Sequence, residues 1–358
     1  MNRRECMAGM GAIALLSTAR ASAHGAPATL APLLPSWTAW KAAYLQPDGR
    51  IVDAFSEGAS HSESQGYGLY LSVLFDDAEA FRAIYGWTEG NLALRNDGLL
   101  AWRWRPDTVP NVPDMNNASD GDIFYAWALM KGADQFDMPD CRGRAATIVA
   151  GIVRACLPPV PAFSGQRLLL PGADGFVRTD GTIYNPSYWM PQLMSELAMF
   201  FGAPGLQRAV DDGLARLSEL AATGLAPDWM LATPQGWAAP PAGFSANAGY
   251  EAMRVPLYLC LSGLSAHPMV ARFHDAYVTT GTQGVGTATV FDVQTGAALE
   301  RSPDMGYAAL AGLTACGAAQ DAALSIPLFT TDQPYYPATL HLFVLIAQLQ
   351  RFPQCQPI

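Results

Sequence analysis

Apolar residues recur along most of this chain at spacings of three and four, which is the period of an amphipathic α-helix. Short clusters of Gly, Pro and Asp interrupt the pattern and divide it into about ten segments. In the second segment, Asp76 and Glu79 predict a capping-box start. The predicted helices cover residues 66–75, 76–92, 122–136, 141–156, 190–201, 206–223, 252–264, 269–279, 306–317 and 337–351.

Strand patterns are limited to two short stretches. "TATVFDVQTGAAL", with Thr295 and Gly296 as its turn, predicts one β-hairpin, and "RLLLPGADGFV" predicts another. Two hairpins do not make a sheet-based fold, and no long polar linker divides the chain after its first residues. Residues 24–358 are therefore predicted to form a single all-α domain, built either as a stacked solenoid or as a closed ring of helix hairpins.

The charge balance restricts the kinds of partner. Of 358 residues, half are hydrophobic and 15% are charged, and the formal net charge is −10. A negative chain is repelled by phosphate backbones and by anionic membrane surfaces. We therefore expect a neutral ligand and no nucleic-acid partner.

The first residues have the pattern of an export signal. Arg3 and Arg4 precede a short apolar run over residues 7–16, and an A-x-A-like cleavage site ends at Ala23. The run is too short to span a hydrocarbon layer of about 30 Å. We predict a signal peptide over residues 1–23 and a secreted or periplasmic mature chain without membrane insertion. The alternative is a buried N-terminal helix.

The cysteines do not have metal-binding spacing. The chain contains 6 of them, one within the predicted signal, and none forms a C-x-x-C pair. We expect mostly buried thiols with at most one bridge, for which Cys141 and Cys156 are the nearest candidates in sequence. No residue pattern calls for a metal or an organic cofactor.

Four acidic residues have neighbours that favour chemistry: Glu63, Asp120, Asp122 and Glu251. Glycoside hydrolysis needs one carboxylic acid to protonate the leaving oxygen and a second carboxylate to activate water or attack the sugar. Glu63, in "HSESQGYG", precedes an apolar helix start that could raise its pKa toward that of a proton donor. The alternative is an acid that stabilises the helix dipole.

The other acids have equally specific surroundings. Asp120, in "NNASDGD", lies near the predicted cap of a helix, whose N-terminus would keep it ionised and suited to holding a sugar hydroxyl. Asp122 is interpreted as an ordinary first-turn acid. Glu251, in "GYEAMRVPLY", precedes Arg254 by three residues, so the arginine would keep it charged. The alternative for that pair is a surface ion pair.

Aromatic residues in polar, loop-like stretches complete the candidate site. Pyranose rings present apolar C–H faces that stack on aromatic rings, so a row of such rings would form a glycan groove. Taken singly, each ring is more often part of a core. The candidates are Trp102, Trp104, Trp127, Tyr188, Trp189 and Trp229.

The motifs "SESQGYG", "NNASDGD", "LLLPGADGF", "YNPSYWMP", "APDWM" and "YEAMRVPLY", in this order, resemble glycoside hydrolase family 8. The match is closest to the endoglucanases that accompany bacterial cellulose synthases. It covers about residues 37–349, and "ASDGD" with its following helix is a specific signature, matched except at Tyr125 and Gly132. The resemblance implies an (α/α)6 barrel with minor β-hairpins in its loops, which selects the closed ring over the solenoid.

The resemblance also implies a function. It indicates inverting hydrolysis of β-1,4-glucan, cellulose or cello-oligosaccharides, as an accessory to cellulose synthesis, with the synthase complex as a candidate partner. By position Glu63 is the general acid and Asp120 contacts the sugar. Arg254 and Tyr188 hold the base and its water, and Gln65 shapes the floor of the site.

Two positions depart from the family pattern. Ser64 replaces a glycine after the acid, and Glu251 stands at the general-base position, where aspartate is usual. The extra methylene could shift the carboxylate by about an ångström, which can cost around a hundredfold in rate. The preceding "FSANAG" is a candidate for compensating backbone adjustment. Two alternatives follow: a catalytically weakened cellulose-binding protein, or an enzyme for xylan, mixed-linkage glucan or chitosan.

Overall fold

The structure is a computed structural model that describes residues 29–159, 165–281, 283–319 and 326–355. The predicted signal peptide, residues 1–23, lies outside the described residues. Among the described residues, no helix is long and apolar enough to cross a membrane.

The described residues form eleven α-helices and seven short strands. The helices are α1 (Leu34–Tyr44), α2 (Ser62–Leu74), α3 (Ala78–Asn91), α4 (Ser119–Gln135), α5 (Asp140–Ala155), α6 (Pro191–Phe201), α7 (Pro204–Thr223), α8 (Arg254–Leu261), α9 (Pro268–Thr280), α10 (Met305–Ala319) and α11 (Tyr335–Arg351). The strands are β1 (Ser60–His61), β2 (Arg103–Trp104), β3 (Thr182–Tyr184), β4 (Met230–Thr233), β5 (Gly236–Ala238), β6 (Thr287–Phe291) and β7 (Ala298–Ser302). The ten predicted helices correspond to α2–α11, whereas α1 was not predicted.

The helices form two layers. Helices α2, α4, α8 and α11 are buried on nearly all sides, whereas α3, α5, α7 and α9 bury only one face. A helix that is apolar all round belongs inside, and an amphipathic helix covers it. Two such layers are the architecture of the (α/α)6 barrel that the family resemblance implies.

Contacts between the first and last helices close the ring. Helix α1 packs on α11, and Trp40 Nε1 donates to Thr339 Oγ1 at 3.0 Å between the two. The Tyr44 hydroxyl donates to the Gln333 carbonyl at 2.9 Å. A solenoid leaves its terminal helices apart, so this contact distinguishes the closed ring from the open stack.

The strands form three small antiparallel sheets, β1–β2, β3–β4–β5 and β6–β7. The predicted hairpin at Thr295 and Gly296 is confirmed as β6–β7. The predicted hairpin in "RLLLPGADGFV" was wrong. Its leucines are buried in the core without strand pairing, and Ser119 at the start of α4 donates to the carbonyls of Leu170 and Pro171. That backbone supports a helix start and is not available to a hairpin.

Two local predictions need correction. Asp77, not Asp76, caps α3, because its side chain accepts from Ala80 N at 3.0 Å, while Asp76 has a left-handed φ of 55°. A disulfide joins Cys316 to Cys355, and Cys141 and Cys156 are free and buried. These two lie at opposite ends of α5, about 22 Å apart by helical rise, which no disulfide can bridge.

Candidate active site

A cavity of about 290 Å³ opens at the end of the barrel where helices α2, α4 and α8 begin. The residues that carry its chemistry are Glu63, Asp120, Tyr188, Glu251 and Arg254, with Trp102 on one wall. Three acids and one arginine from distant parts of the sequence therefore meet in one place.

Glu63 lies in the first turn of α2, and its side chain is 22% exposed. Ser64, the departure from the family pattern, closes this turn, because its Oγ accepts from His61 N at 3.0 Å and donates to His61 O at 2.8 Å. Gly66 and Gly121 allow α2 and α4 to approach closely. A Cβ on Gly121 would lie 2.6 Å from Glu63 N, and one on Gly66 would lie 3.0 Å from Gly121 O. Glycine at these two positions therefore brings Glu63 to the start of α4.

Asp120 is the second residue of α4 and is buried beside Glu63. Its Oδ1 accepts from Gly121 N at 2.8 Å, and its buried Oδ2 has no hydrogen-bond partner among the described residues. Asp120 was predicted to stay ionised at the helix N-terminus. Instead, burial and the Glu63 carboxylate raise the pKa of Asp120 well above its ordinary value. Because Oδ2 accepts no hydrogen bond from the protein, it can accept one from a hydroxyl group of a ligand.

Arg254, the first residue of α8, connects the acids and is 1% exposed. Its Nη1 donates to Glu63 and its Nη2 donates to Glu251. Asp120 Oδ2 lies 3.8 Å from Nη1. One buried guanidinium thus faces three carboxyl groups, which partly offsets the cost of burying them.

Glu251 precedes α8 in a turn, and its side chain is 34% exposed. Its Oε2 accepts from Asn185 Nδ2 at 2.8 Å and from Ser187 Oγ at 3.4 Å. Desolvation raises the pKa of Glu251, and the Arg254 guanidinium opposes that rise. A carboxylate with a raised pKa is a stronger base than an ordinary one.

The arrangement suits acid and base chemistry at one bond. Because Glu63 and Glu251 bind neighbouring nitrogens of one guanidinium, both carboxyl groups are held at the same cavity. Among the described residues, no group of three or more His, Cys, Asp or Glu side chains is placed to hold a metal ion.

A family model described as Glycosyl hydrolases family 8 matches residues 2–350. The chain belongs to glycosyl hydrolases family 8. It is therefore a glycoside hydrolase.

Relatives of this family 8 chain support the assignment. A "Probable endoglucanase" from Novacetimonas hansenii is 33% identical over 96% of this chain and 98% of that protein. The solved structure of an endo-beta-1,4-glucanase from Acetobacter xylinum is 31% identical, with a TM-score of 0.77 over 88% of this chain and 97% of that one. An endoglucanase structure from Klebsiella pneumoniae is 28% identical, with a TM-score of 0.77 over 88% of this chain and 100% of that one.

The predicted aromatic platforms divide into two groups. Trp102 and Tyr188 line the family 8 cavity, and Trp102 stacks on His61 with 5.8 Å between ring centroids. Four tryptophans do not line it: Trp104 packs between Trp87 and Arg50, Trp127 donates to Glu196, Trp189 is buried against Gly213, and Trp229 stacks on Phe176. Sequence context does not show which way a ring points, and the contacts of these four are explained by packing.

Gln65 also lies outside the cavity. It is fully buried, accepts from Ile51 N at 2.8 Å, and donates to Thr88 Oγ1 at 2.9 Å and to Gly49 O at 3.2 Å. Gln65 therefore holds the loop at residues 49–51 behind α2 and does not line the cavity.

Several groups in and around the site were missed by sequence reasoning. Asn185 and Ser187, which hold Glu251, lie within the quoted motif "YNPSYWMP", so their identity was visible but their target was not. Tyr336 lines the cavity and its hydroxyl donates to the Tyr250 carbonyl. Asp122 lies in the first turn of α4 as predicted, but it is also fully buried, accepts from Leu100 N at 2.9 Å, and burial raises its pKa to about 7.

Proposed function

We propose that this chain is an endo-1,4-β-glucanase that cleaves its substrate with inversion of configuration. The observation that carries the proposal is the single buried arginine holding Glu63 and Glu251 beside Asp120 in a cavity with aromatic walls. The names of the relatives, endoglucanase and endo-beta-1,4-glucanase, support β-1,4-glucan as the substrate class.

In the proposed reaction, Glu63 donates its proton to the glycosidic oxygen as the bond from that oxygen to the anomeric carbon breaks. Glu251 takes a proton from a water molecule on the opposite face of the sugar, and the water oxygen bonds to the anomeric carbon. The products are two shorter glucans, and the new reducing end has inverted configuration. Glu251 then releases its proton to solvent and Glu63 takes up a proton from solvent, which returns both acids to their starting states.

Neighbouring groups orient these two acids. Asn185 and Arg254 hold the Glu251 carboxylate, so its free lone pairs face the cavity. Asp120 Oδ2, which accepts no hydrogen bond from the protein, is available to a sugar hydroxyl at the cleaved bond. Trp102 and Tyr188 provide apolar faces for the rings on either side.

We further propose an exported enzyme, secreted or periplasmic, whose mature chain is the single catalytic domain at residues 24–358. The support is the signal-like pattern at residues 1–23. An accessory role in bacterial cellulose synthesis, next to the synthase complex, rests on the resemblance of the motifs alone.

The proposed activity is tested by incubating the protein with cellohexaose and following the anomeric protons of the products by NMR. We expect shorter oligomers whose new reducing ends first appear as the α-anomer. Products of retained configuration would overturn the inverting mechanism. Binding of cellohexaose without products would indicate a glucan-binding protein, and cleavage of xylohexaose in preference to cellohexaose would change the substrate class.

The pH dependence of kcat/KM provides a further prediction. The base must be ionised, and the pKa of Glu251 is raised above its ordinary value of 4.5. Activity should therefore fall as the pH falls, with the midpoint of that decline above pH 4.5. Thermal unfolding measured over the same pH range distinguishes titration from acid unfolding. A midpoint at or below 4.5 in a folded protein would contradict the assignment of the base.

A further inference from the structure

Asp228, in the motif "APDWM", has no role in the reaction described above. It is 5% exposed and does not line the cavity. Its Oδ1 accepts three backbone hydrogen bonds, from Gly249 N at 2.9 Å, Glu251 N at 3.1 Å and Ala252 N at 2.8 Å. One carboxylate oxygen from a distant segment therefore binds the backbone of the turn that carries Glu251.

The turn needs such a partner. Residues 249–253 lead directly into α8, and the residue before that helix, Met253, makes no side-chain capping bond. The N–H groups of residues 253–255 donate to carbonyls within the turn, whereas those of Gly249, Glu251 and Ala252 donate to the Asp228 carboxylate, which is a strong acceptor. Asp228 thus accepts backbone hydrogen bonds from this turn, as a capping residue does at the start of a helix. Unlike a cap, it lies more than twenty residues away in the sequence.

Backbone pairing fixes Asp228 to the same loop. Asp228 N donates to Asn247 O at 2.7 Å, and Trp229 N donates to Ser245 O at 3.1 Å. On the other side of the loop, Ala248 exchanges two hydrogen bonds with Phe291 of β6, at 3.0 and 2.9 Å. The base-bearing turn is therefore anchored on both sides.

Gly249 packs closely against the Asp228 carboxylate. A Cβ added to Gly249 would lie 2.7 Å from Asp228 Oδ2 and 3.4 Å from Val290 Cγ2. Only glycine allows the turn to approach the carboxylate this closely, so the distance between Asp228 and the turn is set by packing.

We infer that Asp228 is a positioning residue, which acts on the reaction by fixing the backbone of Glu251. The inference rests on the proposed role of Glu251 as base. Glutamate reaches further than the usual aspartate, so the place of its carboxylate depends on where its backbone is held. Asp228 holds the backbone at one end, and Asn185 holds the carboxylate at the other. An error of about 1 Å at such a site can cost a hundredfold in rate.

The test is a double-mutant cycle with cellohexaose in the full chain. Asp228→Asn keeps the shape and one acceptor oxygen but removes the charge, and we expect kcat to fall about tenfold with KM changed less than about twofold. Asp228→Ala should lower kcat about a hundredfold. In the Glu251→Gln background, Asp228→Asn should change kcat by less than about twofold, because residues that act as a unit are not additive.

Asp77→Asn is the matched control, because Asp77 also accepts a backbone N–H but lies far along the chain at the start of α3. It should lower the melting temperature and leave kcat unchanged. Asp228→Asn decides the test if Asp228→Ala fails to fold. An equal loss of kcat in both backgrounds would overturn the inference while leaving the proposed base in place. Full activity of the Glu251→Gln single variant would show that Glu251 is not the base, and the inference would then fail as well.

Discussion

Replacing Glu63 with glutamine should lower kcat on cellohexaose by about a thousandfold or more. General acid catalysis contributes about 10²–10⁴ in rate, and an amide has no proton to give to the glycosidic oxygen. Glutamine keeps the shape of glutamate and its carbonyl oxygen can still accept from Arg254. Cellohexaose affinity, measured by titration calorimetry, should therefore change little.

A substrate with an activated leaving group identifies the lost function. The dinitrophenolate leaving group of a dinitrophenyl cello-oligosaccharide departs without being protonated. The rate loss caused by Glu63→Gln should therefore be much smaller on this substrate than on cellohexaose. Glu57→Gln is the control, because Glu57 is an exposed glutamate paired with Arg105 at 2.9 Å, and its loss should leave both rates unchanged. Turnover of cellohexaose by Glu63→Gln within tenfold of the unchanged protein would show that the acid is misassigned.

Replacing Glu251 with glutamine should also lower kcat by about a thousandfold, with little change in KM. The amide cannot take a proton from water, yet it can still accept from Asn185. Glu251→Ala leaves a space beside the anomeric carbon, into which azide can enter as a nucleophile that needs no base. Added azide should then restore turnover of the activated substrate and yield a glycosyl azide of inverted configuration. Retention of configuration in that azide would contradict the inverting assignment.

Glu251→Asp distinguishes a working glutamate base from a damaged site. In this structure the longer side chain reaches Asn185 and Arg254 from a backbone held by Asp228. Shortening it withdraws the carboxylate by about 1 Å, so we expect kcat to fall about a hundredfold. If aspartate instead raised the rate, the natural glutamate would be the defect, and the chain would be better described as a glucan-binding protein. Product anomers measured by NMR should remain inverted for whatever turnover is left.

The fold was largely predictable from the chain because helical periodicity is local. The repeat of three and four that predicts α2–α11 depends on residues within one turn of each other. Helix α1 was missed although it buries Trp37, Trp40 and Tyr44. The hairpin predicted around Leu168–Leu170 failed because those residues are buried in the core next to α4. The proposed bridge between Cys141 and Cys156 failed because α5 separates them.

The charged residues of the candidate site were predictable from the sequence. Ordered motifs identified Glu63, Asp120, Glu251 and Arg254, and the structure brings these four together. The motifs did not reveal which way each side chain points. Gln65 and Trp127 have sequence neighbours as polar as those of the residues that line the cavity, but their side chains face away from it.

The sequence by itself determined the family, the helical fold and the types of reacting group, because each follows from short patterns of residues. Only the tertiary structure decided which groups share one guanidinium, because Glu63 and Arg254 are 191 residues apart and meet only when the ring closes. It also decided that Asp120 is buried, which raises its pKa where the helix terminus alone would lower it. Burial and distance depend on every neighbour in space, and no local pattern contains them.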